Sequence, residues 1–274
     1  MNEEEILRAG SHSPRMPIRI EPEGESHFVR YFLAAAAVLS LYSLYLLQID
    51  WEKLFSRMGG MGTIFWKMAH FSLKGIDFTL VSFADTFSIM VLATVYSFFL
   101  GIVFGLLAAE NVTGSRWLAL LFRAWFTFLR AVPTPVWVLL TLVCFGFGPV
   151  AGITGLSVHT VAFFTKAFSQ AFEDVPGDVL EAFEAMGATK LQTICCGILP
   201  SAMTQLIAWT ALRFEINFSE CAILGMVGAG GIGYAISTGI QNYEYGEAGL
   251  AIFLVFLFAF AMERGFLYIK KAVK

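Results

Sequence analysis

An all-α membrane protein with about six transmembrane helices is the fold class this sequence predicts, and three observations predict it. Of 274 residues, 57% are hydrophobic and only 14% charged, the balance of an integral membrane protein rather than a soluble domain. The apolar residues gather in runs close to the roughly 20 that cross a bilayer. The lysines and arginines also divide unevenly between the two sets of loops that those runs create.

Residues 1–28 read as a cytoplasmic tail. Glu3, Glu4 and Glu5 open it, and the distance to the first apolar run is too long for a signal peptide. Pro14, Pro17 and Pro22 suit a loose segment. Residues 29–84 supply the first span, 31–49, which has no charge. The stretch 51–78 follows, where aromatic and basic residues alternate around Gly59-Gly60 as in an external segment resting on headgroups. Residues 85–274 hold the other spans: 86–109, 131–147, 149–165, 198–227 and 248–269. A Gly/Pro break at Gly146-Phe147-Gly148-Pro149 separates the third from the fourth. Residues 117–128 are apolar but interrupted by Arg123 and followed by Arg130, which reads as a helix lying along the cytoplasmic interface.

With both termini inside, the outer loops hold Lys53, Arg57, Lys67 and Lys74. Every other one of the 18 Lys and Arg residues, Arg213 apart, falls on the cytoplasmic side. The net charge of −3 without a basic cluster points away from nucleic acid. Cys195 and Cys196 are adjacent, lacking the spacer of a zinc or redox pair. With Cys144 and Cys221 they read as buried small hydrophobes. His12, His27, His70 and His159 are scattered, with no metal or hydrolase pattern among them. No lysine follows a glycine, so a Walker A loop is absent and no cofactor is expected on this chain.

Gly228-Ala229-Gly230-Gly231-Ile232-Gly233 fits the dinucleotide fingerprint letter for letter. It ends a hydrophobic helix on the external side instead of joining a strand to a helix. Gly225, Gly228, Gly230, Gly231 and Gly233 together suit either a gate at the outer mouth or close helix packing through small residues. In the preceding helix Arg213, Glu215, Asn217 and Glu220 interrupt an apolar run. At 100° per residue Arg213, Asn217 and Glu220 share a stripe, and Glu215 points about 200° away from Arg213. His159 and Lys166 share a stripe on the helix before it. These residues either line a pathway for an anion, which a guanidinium suits, or form an internal network that fixes packing.

Between two spans, residues 181–200 read E-A-F-E-A-M-G-A-T-K-L-Q-T-I-C-C-G-I-L-P. Glu181, Ala182 and Glu184 belong to the first turn of a polar helix, Gly187 turns the chain, and Pro200 suits the first position of the helix that re-enters the membrane. Glu181-Ala182, Gly187 six residues on, and Leu199-Pro200 resemble the coupling motif of ATP-binding-cassette importer permeases. Phe183 stands where that family usually has alanine and Gly197 where it often has isoleucine. The run from Pro149 through His159-Thr160, Arg213 to Asn217, and Leu224 to Gly233 extends the resemblance over roughly residues 85–270, to the phosphonate-transporter permeases within the type I, MetI-like importers.

That resemblance implies a permease domain over 85–274 with its coupling loop at 174–200. It also implies a homodimer engaging two copies of an ABC ATPase that carries ATP and Mg, an extracytoplasmic substrate-binding protein, and a bacterial inner (cytoplasmic) membrane location. Phosphite or phosphate are alternative solutes. An ion-coupled secondary transporter using Arg213, Glu215 and Glu220 is the competing class, although no internal repeat supports it. A membrane-embedded enzyme lacks any catalytic constellation.

Overall fold

The structure, a computed structural model, describes residues 25–272. Of the expected tail, residues 1–24 lie outside the described residues, and residues 25–28 open the first helix. No strand occurs among them, and the chain divides into two units, Met1–Met61 and Gly62–Lys274. In the first unit, α1 (Glu25–Leu46) is long and apolar enough to cross a membrane over His27–Leu46. Asp50 then starts α2 (Trp51–Ala69), its carboxylate accepting the Lys53 N–H at 3.1 Å and pairing with the Lys53 ammonium at 2.7 Å.

The second unit is built around two long helices, α3 (Ile76–Ala108) and α7 (Pro149–Glu173). Between them run α4 (Glu110–Thr113), α5 (Arg116–Ala131) and α6 (Thr134–Phe145). After α7 come α8 (Gly177–Ala185), α9 (Lys190–Ala229, with a non-helical kink at Gly228), α10 (Ile232–Gln241) and α11 (Tyr245–Ala272). Gly101 and Gly105 let α3 and α7 meet. A Cβ at Gly101 would overlap the Cβ of Phe164, and one at Gly105 would stand 3.0 Å from that of Phe168. Into that space Phe164 and Phe168 stack at 4.9 Å, both fully buried, with Phe98 edge-on to Phe168 at 5.6 Å. Small residues facing large ones are how helices pack closely where lipid gives no hydrophobic drive between them.

Four described helical segments are long and apolar enough to cross a membrane, and α5 with α6, bent by 87°, would make a fifth. The sixth expected span is α7. It carries His159, Lys166, Gln170 and several hydroxyls, and polar residues survive there because α7 faces protein on most sides. Three boundaries differ from the expectation. Helix α3 begins at Ile76, so Asp77 and Asp85 lie within it and position 84/85 is no break. Helix α8 starts after Pro176, which puts Glu181 in its second turn. Re-entry begins not at Pro200 but at Thr189, whose side chain and that of Gln192 form a capping box ahead of Lys190. A wider π turn, Thr193–Ile198, then precedes Pro200, with Leu199 N–H bonded to Ile194 O five residues back. It absorbs the hydrogen bond that proline cannot donate. Cysteine burial also differs: Cys221 is buried, whereas Cys144, Cys195 and Cys196 are exposed on the chain's outer faces.

Candidate functional site

Four features carry chemistry: a polar elbow, a buried polar network, a glycine turn, and a polar cavity that Lys166 enters. The elbow is closed by its own backbone. Gly187, at φ 72°, donates to Glu184 O at 2.9 Å, and Ala188 donates to Phe183 O at 3.0 Å. This is a Schellman cap, which needs a left-handed residue and takes glycine for that reason. Glu181, Ala182 and Glu184 are exposed, and so is Met186. Phe183 and Gly197, the two departures from the coupling pattern, meet in space. A Cβ on Gly197 would sit 2.9 Å from the Phe183 ring. The larger residue at one position fills the room left by the smaller at the other, and Gly197 is buried beneath it.

The polar network joins α3, α7 and α9. Arg213 donates to Thr160 Oγ1 through Nε at 3.3 Å and through a terminal nitrogen at 3.2 Å. The same terminal nitrogen lies 3.1 Å from Glu220 Oε2 and 3.1 Å from His159 Nδ1. Thr160 donates to Asn217 Oδ1 at 3.1 Å. Asn217 donates to Thr94 Oγ1 at 2.9 Å, and Thr94 in turn to Met90 O at 2.7 Å. Arg213 is 2% exposed and Asn217 fully buried. The helical stripe thus brings Arg213, Asn217 and Glu220 together with His159. Glu215, half-buried on another face, takes no part. Thr94 and Thr160 were not legible as partners, because a buried threonine in a transmembrane run usually bonds its own helix, as Thr165 does to Val161 O.

The glycine turn folds α10 back against the end of α9. Gly228, Gly230 and Gly231 have φ of 116°, 80° and 77°. A Cβ at Gly225 would lie 2.9 Å from Gly233 Cα, and one at Gly233 would overlap Ala222 O. Ile232 N–H donates to Thr86 Oγ1 at 2.7 Å and Gly148 N–H to Gly228 O at 3.2 Å, which ties the turn to α3 and to the bend between α6 and α7. The fingerprint-like string is therefore a packed helix reversal, with no strand beside it.

On the remaining face, α5 runs beside α7. Arg123 donates to Ala108 O at 2.8 Å, binds Glu173, and lies 3.7 Å from Glu110, which holds the adjoining ends of α3, α4, α5 and α7 together. The last turn of α5 climbs to the middle of α7 instead of staying level with Glu173. The Arg130 guanidinium stands 5.6 Å from the Phe163 ring centroid, and that of Arg213 stands 5.5 Å from the same ring. The sequence places Arg130 on an interfacial helix and runs one span over 131–147; in the structure α5 ends at Ala131 and the chain bends by 87° into α6, with Pro133 in the break. Between α5 and α7 opens a cavity of about 380 Å³ lined by Thr127, Thr165, Lys166, Ser169 and Gln170, with Arg123, Glu173 and Asp174 at one end. Lys166 is exposed there and forms no ion pair among the described residues. No cluster of three metal-ligating side chains occurs among the described residues.

Residues 101–268 match the family described as binding-protein-dependent transport system inner membrane component, and the chain belongs to that family. It is a membrane transport subunit and not an enzyme. Among its relatives, the phosphate-import permease protein PhnE of Mycolicibacterium smegmatis is 31% identical over 86% of this chain and 44% of its own length. HtxC of Stutzerimonas stutzeri, which bears the provisional name of a phosphite transport system permease protein, is 28% identical over 85% of this chain and 84% of its own. The chain thus spans less than half of the mycobacterial protein. A solved inward-facing conformation of the MetNI methionine ABC transporter superposes with a TM-score of 0.66 over 74% of this chain and 99% of that one. At 23% identity this carries the fold alone.

Proposed function

We propose that this chain is the membrane-spanning subunit of an ATP-driven importer that carries a phosphonate or a related organophosphorus anion across a bacterial cytoplasmic membrane. It works as a homodimer, with both termini in the cytoplasm. Two copies of a separate ATPase hold the ATP and Mg, and an extracytoplasmic binding protein delivers the solute. Phosphite and phosphate, named for its relatives, are the alternatives within the same class.

The observation that carries this reading is the elbow. Helix α8 ends in the Schellman cap at Gly187 and α9 begins in the Thr189–Gln192 capping box, while Glu181 and Ala182 on α8 are exposed. A preorganised helix with a free face is suited to a groove on a soluble partner, because little freedom is lost on docking. The π turn, Leu199 and Pro200 pass the motion of the elbow along α9. ATP-driven closure of the two ATPases draws the two elbows together, and the helices rock about the dimer axis. Of the candidate pathway residues, Lys166 faces open space, whereas Arg213, Asn217 and His159 serve the packing of α3, α7 and α9, with Glu215 outside that network. Gly225, Gly228, Gly230, Gly231 and Gly233 form the fixed outer reversal against which a gate closes.

Gly187→Val puts a β-branched residue in the left-handed region, where it is a genuine outlier. The variant is expected to insert and bind the ATPase weakly, and ATP hydrolysis stimulated by loaded binding protein falls to the unstimulated level in the reconstituted complex. Full stimulation in that variant removes the elbow from the mechanism.

A further inference from the structure

We propose that Arg130 is the side chain that meets the transported oxyanion inside the membrane, with the Lys166 cavity as the next station, and that Arg213 is a packing residue behind them. The inference rests on the organophosphorus reading above and assigns the residues that contact that solute.

The two arginines on Phe163 differ in what they have left to give. Arg213 spends its fork on Thr160, His159 and Glu220 and is 2% exposed, with a carboxylate balancing its charge. Arg130 is exposed and forms no ion pair among the described residues. His159 and Phe163, against which it sits, lie near the middle of α7 (Pro149–Glu173) rather than at its end. A guanidinium keeps its proton there, so at that depth it must be wet or paired with an anion that comes and goes. The Phe163 ring holds it in place through its π face, an attraction that grows where water is scarce. Phe163 itself is braced by Trp209 at 6.0 Å. The Trp137 indole donates to Leu129 O at 3.1 Å, which fixes the last turn of α5 just before the bend. Arg130 is thus a fork on a rigid mount, facing outward.

The cavity continues the same track. Thr127 precedes Arg130 by one helical turn on α5, and Lys166 follows Phe163 by one turn on α7, so the four fall on facing stripes. The Thr165 and Ser169 hydroxyl protons are committed to Val161 O and Lys166 O. Lys166, Thr127 and the Gln170 amide are therefore the donors that remain; Arg123 at the rim is neutralised by Glu173, and Asp174 stands at the same end of the cavity. Two cationic stations one turn apart suit conduction of a small oxyanion, since each must bind weakly enough to let go. The bidentate fork at the first fits a tetrahedral phosphorus oxyanion better than an ammonium does.

The test uses the whole permease–ATPase complex with its binding protein in liposomes, and measures uptake of methylphosphonate and of phosphite across a range of concentrations. Arg130→Gln is expected to lower uptake of the accepted anion by about tenfold or more, the loss of one charge-assisted pair, while the complex still elutes intact on size exclusion. Arg130→Lys is expected to fall between that variant and the wild type. Arg213→Lys is expected instead to lower the melting temperature of the complex. Wild-type uptake by an intact Arg130→Gln complex overturns the assignment. If that variant does not assemble, Arg130→Lys decides: uptake at the wild-type rate overturns the role of the fork, and slowed uptake by an intact complex supports it. A wild-type complex that carries neither anion overturns the organophosphorus reading itself, and this inference with it.

Discussion

Gly187 and Gly233 are both glycines at breaks between helices, and they are there for opposite reasons. At Gly187 an added Cβ would meet nothing within 4 Å, but φ is 72°. At Gly233 the backbone is ordinary helix, but an added Cβ would overlap Ala222 O and stand 2.9 Å from Met226 N. The elbow needs glycine for conformation and the reversal between α9 and α10 needs it for room. Conformational demands are met locally, by the hydrogen bonds of the cap itself. Spatial demands are set by elements distant in the chain.

The sharpest way to break this contrast is Gly233→Ala. The obstacle is backbone rather than the end of a flexible side chain, so α10 must leave α9 or the turn must open. A destabilisation of about 3 kcal/mol or more is expected, seen as loss of monodisperse protein in detergent. A Gly233→Ala protein with unchanged melting temperature would mean that the reversal is loosely packed and free to act as a gate on its own.

Thr86→Val comes next. Thr86 Oγ1 accepts from Ile232 N–H and donates to Ser82 O at 3.1 Å, all of it buried. Valine keeps the shape and strands the amide, for about 1–3 kcal/mol. Thermal unfolding of the purified variant measures it. Stimulated ATP hydrolysis per folded complex should stay close to wild type, since the elbow is untouched.

These two sites also show what could be read in advance. Helices and their hydrophobic runs follow from local pattern, as does the stripe that groups Arg213, Asn217 and Glu220, whereas the bend around Pro133 falls inside what the sequence reads as one span. The cap at Gly187 is likewise written in a short stretch of sequence. What pattern does not carry is partnership across the bundle. Nothing near Thr86 announces Ile232, and nothing near Thr94 announces Asn217. Hydropathy counts apolar residues along the chain and does not announce that the end of α5 brings Arg130 over Phe163, near the middle of α7. The start of α9 was misplaced because Pro200 is a strong local signal for a helix start. A π turn lets the helix run through it instead, and the true start is the quieter Thr189–Gln192 box.

Gly187→Ala isolates the conformational demand at the elbow. Alanine fits the space, and the left-handed backbone costs about 1–2 kcal/mol. The loss falls on the cap rather than on the bundle. The melting temperature of the membrane domain should shift by much less than in Gly233→Ala, while stimulated ATP hydrolysis drops partway toward the level of Gly187→Val. A stability loss equal to that of Gly233→Ala would show that the elbow is welded to the bundle and that the contrast is false.

The smallest effect is expected from the same substitution one helix away, Gly197→Ala. An added Cβ would approach Phe183 Cε2 at 2.9 Å and Cδ2 at 3.1 Å, tighter than real contacts. Here, however, the obstacle is an aromatic ring on a half-buried side chain at the elbow, which can swing by a few tenths of an ångström toward solvent. Against that strain stands the helix preference of alanine over glycine, about 1 kcal/mol in favour. The two terms nearly cancel, so the net change should lie within about 0.5 kcal/mol of zero. What moves is the ring, and with it the face that α8 offers to its partner. Gly197→Ala should therefore alter the affinity for the ATPase, measured by titration in detergent, without altering the melting temperature. A combined Gly197→Ala, Phe183→Leu variant, which trims the ring where the methyl arrives, should recover part of that affinity. If the single variant instead unfolds like Gly233→Ala, the Phe183 ring is fixed, and the elbow is as much a part of the core as the outer reversal.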